Sequence, residues 1–463
     1  HELLRPVPDD GDATEEISEL DAELHALRDA LLEGISPDPD ERTDEESARF
    51  KLAHMMEFHR REDKAAWWEK FRLLDLDVED YFDERRALAG LQFVDVVDDG
   101  RVPVHRYEYL SQDVDARAKE DVLDDEGERV GTVHAVDVSA KTLDIKKMAK
   151  TADQHPANVF FFSRVPSDPL RKSLMRFGQA VITHGLELGA PYRAAARLLL
   201  RQPPSSVDPG TALQKPDETT VQAACRLAGS LNGDILAVQG PPGTGKTYTG
   251  GEMICDLIRQ GKKVGVTAVS HRVILNLLEG GLKAENSKDV NIRCLHKSAG
   301  DYTGEHAIQF TNSYPQILGA LDAGEANLVG GTAWQWSRED FAESVDVLIV
   351  DEAGQMSLAN VLATAQAANS LVLLGDPQQL EQPIQCSHPE GSDVSALHHL
   401  LDGADTIPDD LGLFLGITWR LHPEIAQFTS EAYYASRLEA LPGLERQRIV
   451  SDGQLAGSGL RFI

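Results

Sequence analysis

Cysteine is scarce in this chain, with four residues among 463. They stand far apart and form no CxxC or Cys/His pair, which excludes a disulfide framework or a zinc module. The fifteen histidines include no HxH or HExxH arrangement, so a metal site built from histidine is not expected either. A reducing, cytoplasmic setting is therefore expected. The cysteines are Cys225, Cys255, Cys294 and Cys386.

Long apolar runs are also missing. No stretch approaches the roughly 18 residues that span a bilayer, and the first residues lack the basic start and apolar core of a signal peptide. Membrane insertion and secretion are therefore not expected. With 41% hydrophobic and 26% charged residues, the composition is that of a folded globular protein. Its length predicts two or three domains.

Positive charge is in short supply, because 45 basic residues face 76 acidic ones and the net charge is −31. A protein that binds nucleic acid without sequence preference is usually basic, so a uniformly basic binding surface is excluded. Residues 141–201 depart from this balance, with 11 basic and four acidic side chains. A local basic face on an acidic protein is therefore expected in this stretch.

Helical spacing of apolar residues at 14–33 and 43–75 predicts long acidic helices, separated by the segment ISPDPDERT. Short alternating stretches follow and predict strands, with a hairpin around 139–141. The helical pattern returns at 168–201, and PPSSVDPG at 203–210 is typical of a linker. The predicted regions are an acidic helical stalk (1–92), a small β-barrel (93–150), and returning stalk helices with a linker (151–210).

From residue 211 onward, short apolar runs alternate with helical stretches. Such runs are typical of parallel strands that are buried on both faces of a sheet. We therefore predict an α/β fold, with a parallel-sheet domain over 211–393 and the beginning of a second domain over 394–463. The predicted strands are 235–238, 264–269, 327–330, 347–350 and 371–374.

The segment GPPGTGKT at 240–247 directly follows the first of these strands and matches G-x-x-x-x-G-K-[ST] in its strand-then-helix setting. Glycines let the backbone N–H groups of such a loop surround phosphates. Lys246 is expected at the β- and γ-phosphates and Thr247 at Mg²⁺. An ordinary glycine turn is the alternative. The predicted ATP-binding residues are Gly240, Gly243, Thr244, Gly245, Lys246 and Thr247.

An acidic pair follows the strand at 347–350, in the segment DEAGQ. Asp351 is placed to hold Mg²⁺, and Glu352 is placed to take a proton from an attacking water. A small-molecule kinase does not need the second carboxylate, because its substrate supplies the attacking oxygen. The pair therefore favours ATP hydrolysis, the alternative being a solvated strand end.

Two further polar residues complete the predicted catalytic set. Gln379, in GDPQQL after the strand at 371–374, is expected to sense the γ-phosphate. Arg420, in TWRLHP, is expected to act as an arginine finger that neutralises charge on the transferring phosphates. A surface ion pair is the alternative role for Arg420.

The segments GPPGTGKT, DEAGQ, GDPQQL and WRLHP, in that order, resemble motifs I to IV of superfamily 1 helicases, in the subgroup of the nonsense-mediated-decay RNA helicase. This resemblance implies two RecA-like domains with a stalk and a β-barrel, which use Mg²⁺ and ATP to move 5′ to 3′ along single strands. The segments at 59–71, 261–271 and 375–391 resemble, more narrowly, a bacterial and archaeal family in which a RecB-like nuclease precedes such a helicase.

The same resemblance implies roles for individual residues. Gln222 corresponds to the glutamine that reads adenine, and Trp419 corresponds to a tyrosine that stacks on it. Ser270 and Thr332 correspond to residues that touch the nucleic-acid backbone; an N-cap or turn role is the alternative for both. Thr418 departs from the subgroup, which has glutamine there.

The resemblance covers only part of such a motor. After Arg420 the chain has 43 residues, whereas a complete second domain takes about 150–200. Neither the arginine-bearing motif VI nor the acidic core of a nuclease is found. We therefore expect a fragment of a longer protein that binds Mg²⁺–ATP but hydrolyses it slowly by itself.

The expected partner is single-stranded nucleic acid, DNA rather than RNA because of the nuclease-fused family. Arg193 and Arg197, in the basic stretch 141–201, are the predicted contacts, with a solvated helical face as the alternative. An ATPase that remodels protein–nucleic acid complexes without unwinding is the alternative function. His59, Trp67 and Trp68 could stack on bases, but Phe58, Trp68 and Phe71 can share a helix face with Leu74, which favours core packing.

Overall fold

The structure is a computed structural model that describes residues 13–77, 79–100, 102–208, 210–298, 307–389, 391–450 and 456–459. These residues form two compact units. One unit combines the described residues up to His59 with those from Ser167 onward, and the other is Arg60–Pro166. Within the described ranges, none of the helices has both the length and the apolar character that a membrane span requires.

Several helices begin at a residue whose side chain caps the first turn. Thr43 and Glu46 form a reciprocal capping box, in which the Thr43 N–H donates to Glu46 Oε2 at 2.8 Å and the Glu46 N–H donates to Thr43 Oγ1 at 3.2 Å. The helix expected over 43–75 is two helices, since the first ends at Met55. The helices are α1 (Ala13–Leu32), α2 (Asp44–Met55), α3 (Phe58–Leu74), α4 (Asp168–His184), α5 (Arg193–Leu199), α6 (Thr220–Ser230), α7 (Lys246–Arg259), α8 (His271–Lys283), α9 (Tyr314–Asp322), α10 (Ala333–Trp336), α11 (Leu358–Ala365), α12 (Ala396–Leu401) and α13 (Pro423–Tyr433).

The Arg60–Pro166 unit is built on a seven-stranded antiparallel sheet with the order β1-β7-β4-β5-β6-β3-β2. Its strands are β1 (Ala87–Leu88), β2 (Gln92–Asp98), β3 (Val104–Glu108), β4 (Asp121–Asp124), β5 (Arg129–Asp137), β6 (Thr142–Lys147) and β7 (Val159–Phe162). The hairpin predicted around 139–141 joins β5 and β6. Asp137 stabilises its turn, because its Oδ1 accepts the backbone N–H groups of Ser139 and Ala140 at 2.9 and 2.8 Å.

Two features of this sheet differ from the prediction of a small barrel over 93–150. The sheet is wider than that range, because β1 and β7 pair with each other at one edge. It is also open in its hydrogen bonding: the order ends at β1 and β2, and no ladder joins these two strands among the described residues.

The larger unit contains an eight-stranded, wholly parallel sheet with the order β11-β10-β12-β9-β13-β14-β8-β15. Its strands are β8 (Ile235–Gln239), β9 (Val264–Thr267), β10 (Cys294–Lys297), β11 (Ile308–Thr311), β12 (Leu328–Gly330), β13 (Val345–Val350), β14 (Ala368–Gly375) and β15 (Gly412–Phe414). The five predicted strands are β8, β9, β12, β13 and β14. The others were missed because they are short and include polar residues or glycine.

Alternate residues of each central strand enter different hydrophobic cores. In β8, Ile235 and Ala237 face one core while Leu236 and Val238 face the other. This two-residue alternation is what a strand buried on both faces produces. Helices α6, α7 and α8 supply the second core through residues such as Leu227, Leu257 and Leu277.

The N-terminal helices do not form a separate stalk, in contrast to the assignments 1–92 and 151–210. Buried residues of α1, α2, α4 and α5 belong to the same hydrophobic core as the first face of the sheet, including Leu24, Leu52, Leu174 and Leu198. The reason is the apolar stripe of each helix, which requires a hydrophobic partner, and the sheet provides it.

The chain after residue 393 also begins differently from the predicted second domain. Strand β15 adds to the edge of the same parallel sheet, beside β8, and Gly412 approaches it so closely that a Cβ would lie 2.6 Å from Ala237 O. A separate two-stranded sheet follows, formed by β16 (Ile417–Thr418) and β17 (Glu439–Ala440). Among the described residues after β15, strand pairing is separate from the large sheet.

Candidate nucleotide-binding site

The loop 240–245 joins β8 to α7 and lies where the carboxyl ends of the parallel strands meet. Gly243 and Gly245 have φ angles of +77° and +89°, a left-handed conformation that favours glycine. Helix α7 then begins at Lys246, so the loop and the positive end of a helix coincide. This is the geometry that the glycine spacing predicts.

Two side chains at the loop donate hydrogen bonds to its backbone carbonyls. The Lys246 ammonium donates to Gly240 O at 2.7 Å, and the Thr244 hydroxyl donates to Pro241 O at 2.8 Å. A Cβ on Gly240 would lie 2.5 Å from Lys246 Cγ, so glycine at this position makes room for the lysine. Thr247 stands exposed in the first turn of α7. The loop therefore presents one cation and one free hydroxyl beside its backbone N–H groups.

Asp351 follows β13, the second strand away from β8 in the sheet. It is 5% exposed, and burial together with the neighbouring Glu352 carboxylate raises its pKa to about 7, while Lys246 opposes the rise. Its Oδ1 accepts the Glu352 N–H at 2.9 Å. Burial disfavours the charged form of this carboxylate, and a bound cation would stabilise that form. A Mg²⁺ ion held by Asp351 would therefore offset the cost of burying its charge.

Glu352 is held in a strained position. Its φ angle is +53°, unusual for a residue with a side chain, and its Oε2 is buried without a hydrogen-bond partner among the described residues. Backbone strain and an unsatisfied buried oxygen are both costly, and they occur together mainly at functional sites. The residues present therefore fit a bound Mg²⁺–nucleotide, in which Thr247 and Asp351 would be the oxygen ligands of the metal.

The loop that carries Gln379 packs directly on this acidic pair. A Cβ on Gly354 would lie 2.3 Å from Asp376 O, so the DEAG and GDPQQ backbones touch. Asp376 is fully buried, and its Oδ2 accepts the Gln379 amide at 3.1 Å. Asp376 was not singled out in the sequence, although it stands next to the predicted Gln379.

The segment carrying Arg420 lies on the glycine loop itself. The Trp419 N–H donates to Gly243 O at 2.8 Å, and a Cβ on Gly243 would lie 2.5 Å from Arg420 Cβ. The Thr418 hydroxyl donates to Pro242 O at 3.1 Å, so threonine at this position supplies a polar contact to the loop. The Trp419 indole is 64% exposed, and the Arg420 guanidinium has no hydrogen bond or ion pair among the described residues. Both groups are thus available to a ligand.

Gln222 serves as part of a helix cap. Its Oε1 accepts the backbone N–H of Thr219 at 2.9 Å and the Thr219 hydroxyl at 3.2 Å, which fixes the start of α6. Helix α6 belongs to the same hydrophobic core as α7. The adenine-reading role of Gln222 stays a prediction, and in this arrangement its amide N–H groups are the atoms left for a base.

Ser270 and Thr332 both begin helices, as their alternative reading predicts. The Ser270 hydroxyl accepts the Val273 N–H at 3.3 Å, whereas the Thr332 side chain makes no capping bond. Two histidines that the sequence did not reveal connect these loops. His271 Nδ1 lies 3.1 Å from His296 Nε2, and His296 Nδ1 lies 3.1 Å from Gly330 O. Burial lowers the pKa of His296 to about 4, so the pair is neutral at pH 7.

Some cations of the basic stretch 141–201 do not lie on an exposed face. The Arg197 guanidinium pairs with Asp234, a residue that is 1% exposed, at 2.7 Å, and Arg193 lies across Gly233, where a Cβ would be 2.5 Å from its Cδ. In the smaller unit, Lys147 is fully buried and donates to Gln154 O at 2.7 Å. Arg197 and Lys147 are therefore used inside the protein, because unpaired carboxylates and carbonyls in a core need donors.

The aromatic residues of α3 have structural neighbours. His59 Nε2 lies 2.7 Å from Asn360 Oδ1 in the larger unit. In the smaller unit, Trp67 lies against Phe162 with ring centroids 6.1 Å apart. Trp68 is 41% exposed, so it lies outside the core that its spacing predicts. No cluster of three or more His, Cys, Asp or Glu residues suited to a metal occurs in the part of the chain that the structure describes.

A parallel sheet, a glycine loop leading into a helix and an acidic pair at the end of β13 define a P-loop nucleotide-binding domain. Residues 219–389 match the family model of the AAA domain. The chain is 23% identical over 267 residues to the DNA polymerase alpha-associated DNA helicase A of Schizosaccharomyces pombe, covering 47% of this chain and 39% of that protein. It is 25% identical over 291 residues to the Regulator of nonsense transcripts 1 homolog of Drosophila melanogaster, covering 50% and 24%.

A third relative is the DNA replication ATP-dependent helicase/nuclease of Saccharomyces cerevisiae, 27% identical over 155 residues, or 32% of this chain and 10% of that protein. A crystal structure of arterivirus nonstructural protein 10, a helicase, aligns with a TM-score of 0.35 and 13% identity, covering 78% of this chain and 60% of that one. The chain spans less than two fifths of the length of these three curated relatives. Its ATPase region is related to the superfamily 1 helicases.

Proposed function

We propose that this protein is an ATP-dependent nucleic-acid helicase or translocase that moves 5′ to 3′ on single-stranded DNA. The observation that carries the proposal is the meeting of Lys246, Asp351, Glu352 and Arg420 at one edge of the sheet. A phosphate-binding loop alone serves many nucleotide enzymes, whereas the second carboxylate favours hydrolysis by water. Coupling to a nucleic acid is supported by the relation to helicases.

Each residue has a distinct role in the proposed hydrolysis. Lys246 and the loop N–H groups bind the β- and γ-phosphates of ATP. Thr247 and Asp351 would hold Mg²⁺, which neutralises phosphate charge when bound. Glu352 accepts a proton from the attacking water, Gln379 orients the reacting groups, and Arg420 stabilises charge on the transferring phosphoryl group.

The strand is proposed to run past the loops of Ser270 and Thr332, which follow β9 and β12 in the same sheet. The Thr332 hydroxyl makes no capping bond and so remains available to a phosphate oxygen. Arg197 is no longer part of this proposal, because it pairs with the buried Asp234, whereas Arg193 stays a predicted contact. The preference for DNA over RNA is supported by the names of two relatives, a DNA helicase and a DNA replication helicase/nuclease.

The test is ATP turnover with matched single strands of DNA and RNA. We expect DNA to stimulate phosphate release more than RNA of the same sequence. Direction is measured by displacing streptavidin from biotin placed at the 3′ or the 5′ end of the strand, and a 5′ to 3′ motor displaces it from the 3′ end. In the full-length protein, ATP turnover without strand stimulation would contradict the proposal. Stimulated turnover with protein displacement but no duplex unwinding would identify a remodelling ATPase instead.

A further inference from the structure

A buried tyrosine reaches the predicted phosphate-sensing loop from the segment that carries Arg420. Tyr434 directly follows α13 and is 3% exposed. Its hydroxyl donates to Asp376 Oδ2 at 2.7 Å, although the two residues are 58 positions apart in the chain. Burial and the Asp376 carboxylate raise the pKa of Tyr434, so the phenol remains protonated and acts as the donor.

The same carboxylate oxygen holds Gln379. Asp376 Oδ2 accepts the Gln379 amide at 3.1 Å, and Oδ1 accepts the Gln378 N–H at 3.2 Å. Asp376 is fully buried, and a buried carboxylate depends on its donors. Removing the Tyr434 hydroxyl takes away the donor that shares Oδ2 with Gln379. The orientation of Gln379 therefore depends on Tyr434 through Asp376.

This chain of hydrogen bonds lies within the site itself. The backbone of Asp376 packs against Gly354, which follows Glu352 and Ala353 in the chain. Glycine is needed there because a Cβ would collide with Asp376 O. Tyr434 belongs to the same segment as Trp419, whose N–H binds the glycine loop at Gly243 O. One short stretch of chain thus contacts both the phosphate-binding loop and the loop of Gln379.

We propose that Tyr434 is a positioning residue for ATP hydrolysis, which acts through Asp376 to hold the Gln379 side chain in its working orientation. The inference rests on the proposed function, since it concerns the same nucleotide site. It adds a residue outside the recognised motif segments. It also gives the region after β15 a second role in the reaction, beside that of Arg420.

The test uses two neighbouring tyrosines. Tyr434→Phe removes one hydroxyl and keeps the ring, whose centroid lies 6.1 Å from that of Phe414. Tyr433→Phe is the matched control, because Tyr433 is 50% exposed. In strand-stimulated ATP turnover, Tyr434→Phe is expected to lower kcat by about ten-fold with KM changed by less than about two-fold. Tyr433→Phe is expected to match the wild type.

A double-mutant cycle separates positioning from general stability. If Tyr434 acts through Gln379, adding Tyr434→Phe to Gln379→Ala produces no further loss of kcat. Independent, multiplying losses would overturn the inference, as would a Tyr434→Phe variant equal to Tyr433→Phe. Full-length wild-type protein without ATP turnover would instead overturn the proposed function, and the inference with it. Binding of ADP with aluminium fluoride, relative to ADP alone, gives a readout without turnover: Tyr434→Phe is expected to weaken only the former.

Discussion

At the scale of single residues, Asp351 and Glu352 follow the same strand but have different surroundings, so they suit different tasks. Asp351 is nearly buried and faces Lys246, whereas Glu352 turns away through a left-handed backbone conformation. The backbone N–H of Glu352 donates to Asp351 Oδ1, and this hydrogen bond orients the Asp351 carboxylate. One carboxylate suits a metal ion and the other suits a water molecule.

This division predicts different defects in two variants. Lys246→Ala is expected to weaken ATP binding by at least about ten-fold, because the loop loses its cation. Glu352→Gln is expected to bind ATP almost normally and to hydrolyse it roughly 10²–10⁴-fold more slowly, because only the reaction needs the proton acceptor. Binding is measured with a fluorescent ATP analogue and hydrolysis by phosphate release.

A control for this pair is Glu343→Gln. Glu343 also has a positive φ, +55°, but its side chain is exposed outside the site. It should leave both measurements unchanged. Equal loss of ATP binding in Lys246→Ala and Glu352→Gln would show that the two residues do not divide binding and proton transfer.

At the scale of helices, His399 joins three elements of the larger unit. It lies in α12, and its Nε2 donates to Leu198 O and Leu199 O, at the end of α5, at 3.2 and 3.1 Å. The last carbonyls of a helix lack the intrahelical partners of the preceding ones, and His399 supplies a donor to both of these. Lys51 of α2 lies 3.5 Å from the other ring nitrogen. Burial, with Lys51 and Arg201 nearby, lowers the pKa of His399 to about 3.

The lowered pKa makes stability depend on pH. The folded protein keeps His399 neutral, while the unfolded chain takes up a proton below its ordinary pKa of about 6.5. Stability is therefore full above that pH and falls as the pH drops from about 6.5 towards 3, by at most about 1.4 kcal/mol per pH unit for this group. His399→Gln is expected to reduce the loss of unfolding free energy between pH 7.5 and 5.5 by about 1 kcal/mol.

Urea unfolding at the two pH values measures this difference. The neighbouring His398, whose Nδ1 lies 2.9 Å from Glu381 at the surface, provides the control. His398→Gln should retain the wild-type sensitivity to acid. If His399→Gln is as acid-sensitive as His398→Gln, His399 does not carry the effect.

At the scale of the whole molecule, the two units keep separate hydrophobic cores. Both cores of the smaller unit lie within residues 73–161, one around Tyr107 and Ile145 and the other around Tyr81 and Phe160. The unit is also continuous in sequence, because it is inserted between α2 and α4 of the larger unit. A continuous segment with its own core has what independent folding requires.

We therefore expect residues 60–166 to fold when expressed alone. Circular dichroism should show an antiparallel β spectrum with a cooperative thermal transition. Phe160→Ala is expected to destabilise the isolated unit by about 3–5 kcal/mol, because it empties a fully buried site. Val138→Ala, at a 60% exposed position, should change little. A spectrum without cooperative unfolding in the unmodified segment would contradict the prediction.

The sequence by itself determined the parts of this protein that depend on neighbouring residues. The apolar runs predicted five parallel strands, and the loop from Gly240 to Thr247 carries its own conformation through glycines and a following helix. The acidic pair could be placed because it directly follows a buried strand. Such features are local, since spacing and burial on both faces of a strand leave a pattern in the sequence.

Only the tertiary structure decided which distant groups meet. Charge counting made Arg197 a surface cation, yet Asp234 pairs with it in the interior. Helical spacing predicted a stalk, although the helices cover one face of the sheet instead. Nothing near Tyr434 in the sequence indicates Asp376. Packing selects partners across the chain by shape, burial and hydrogen-bonding need, and these pairings leave no periodic signal in a single sequence.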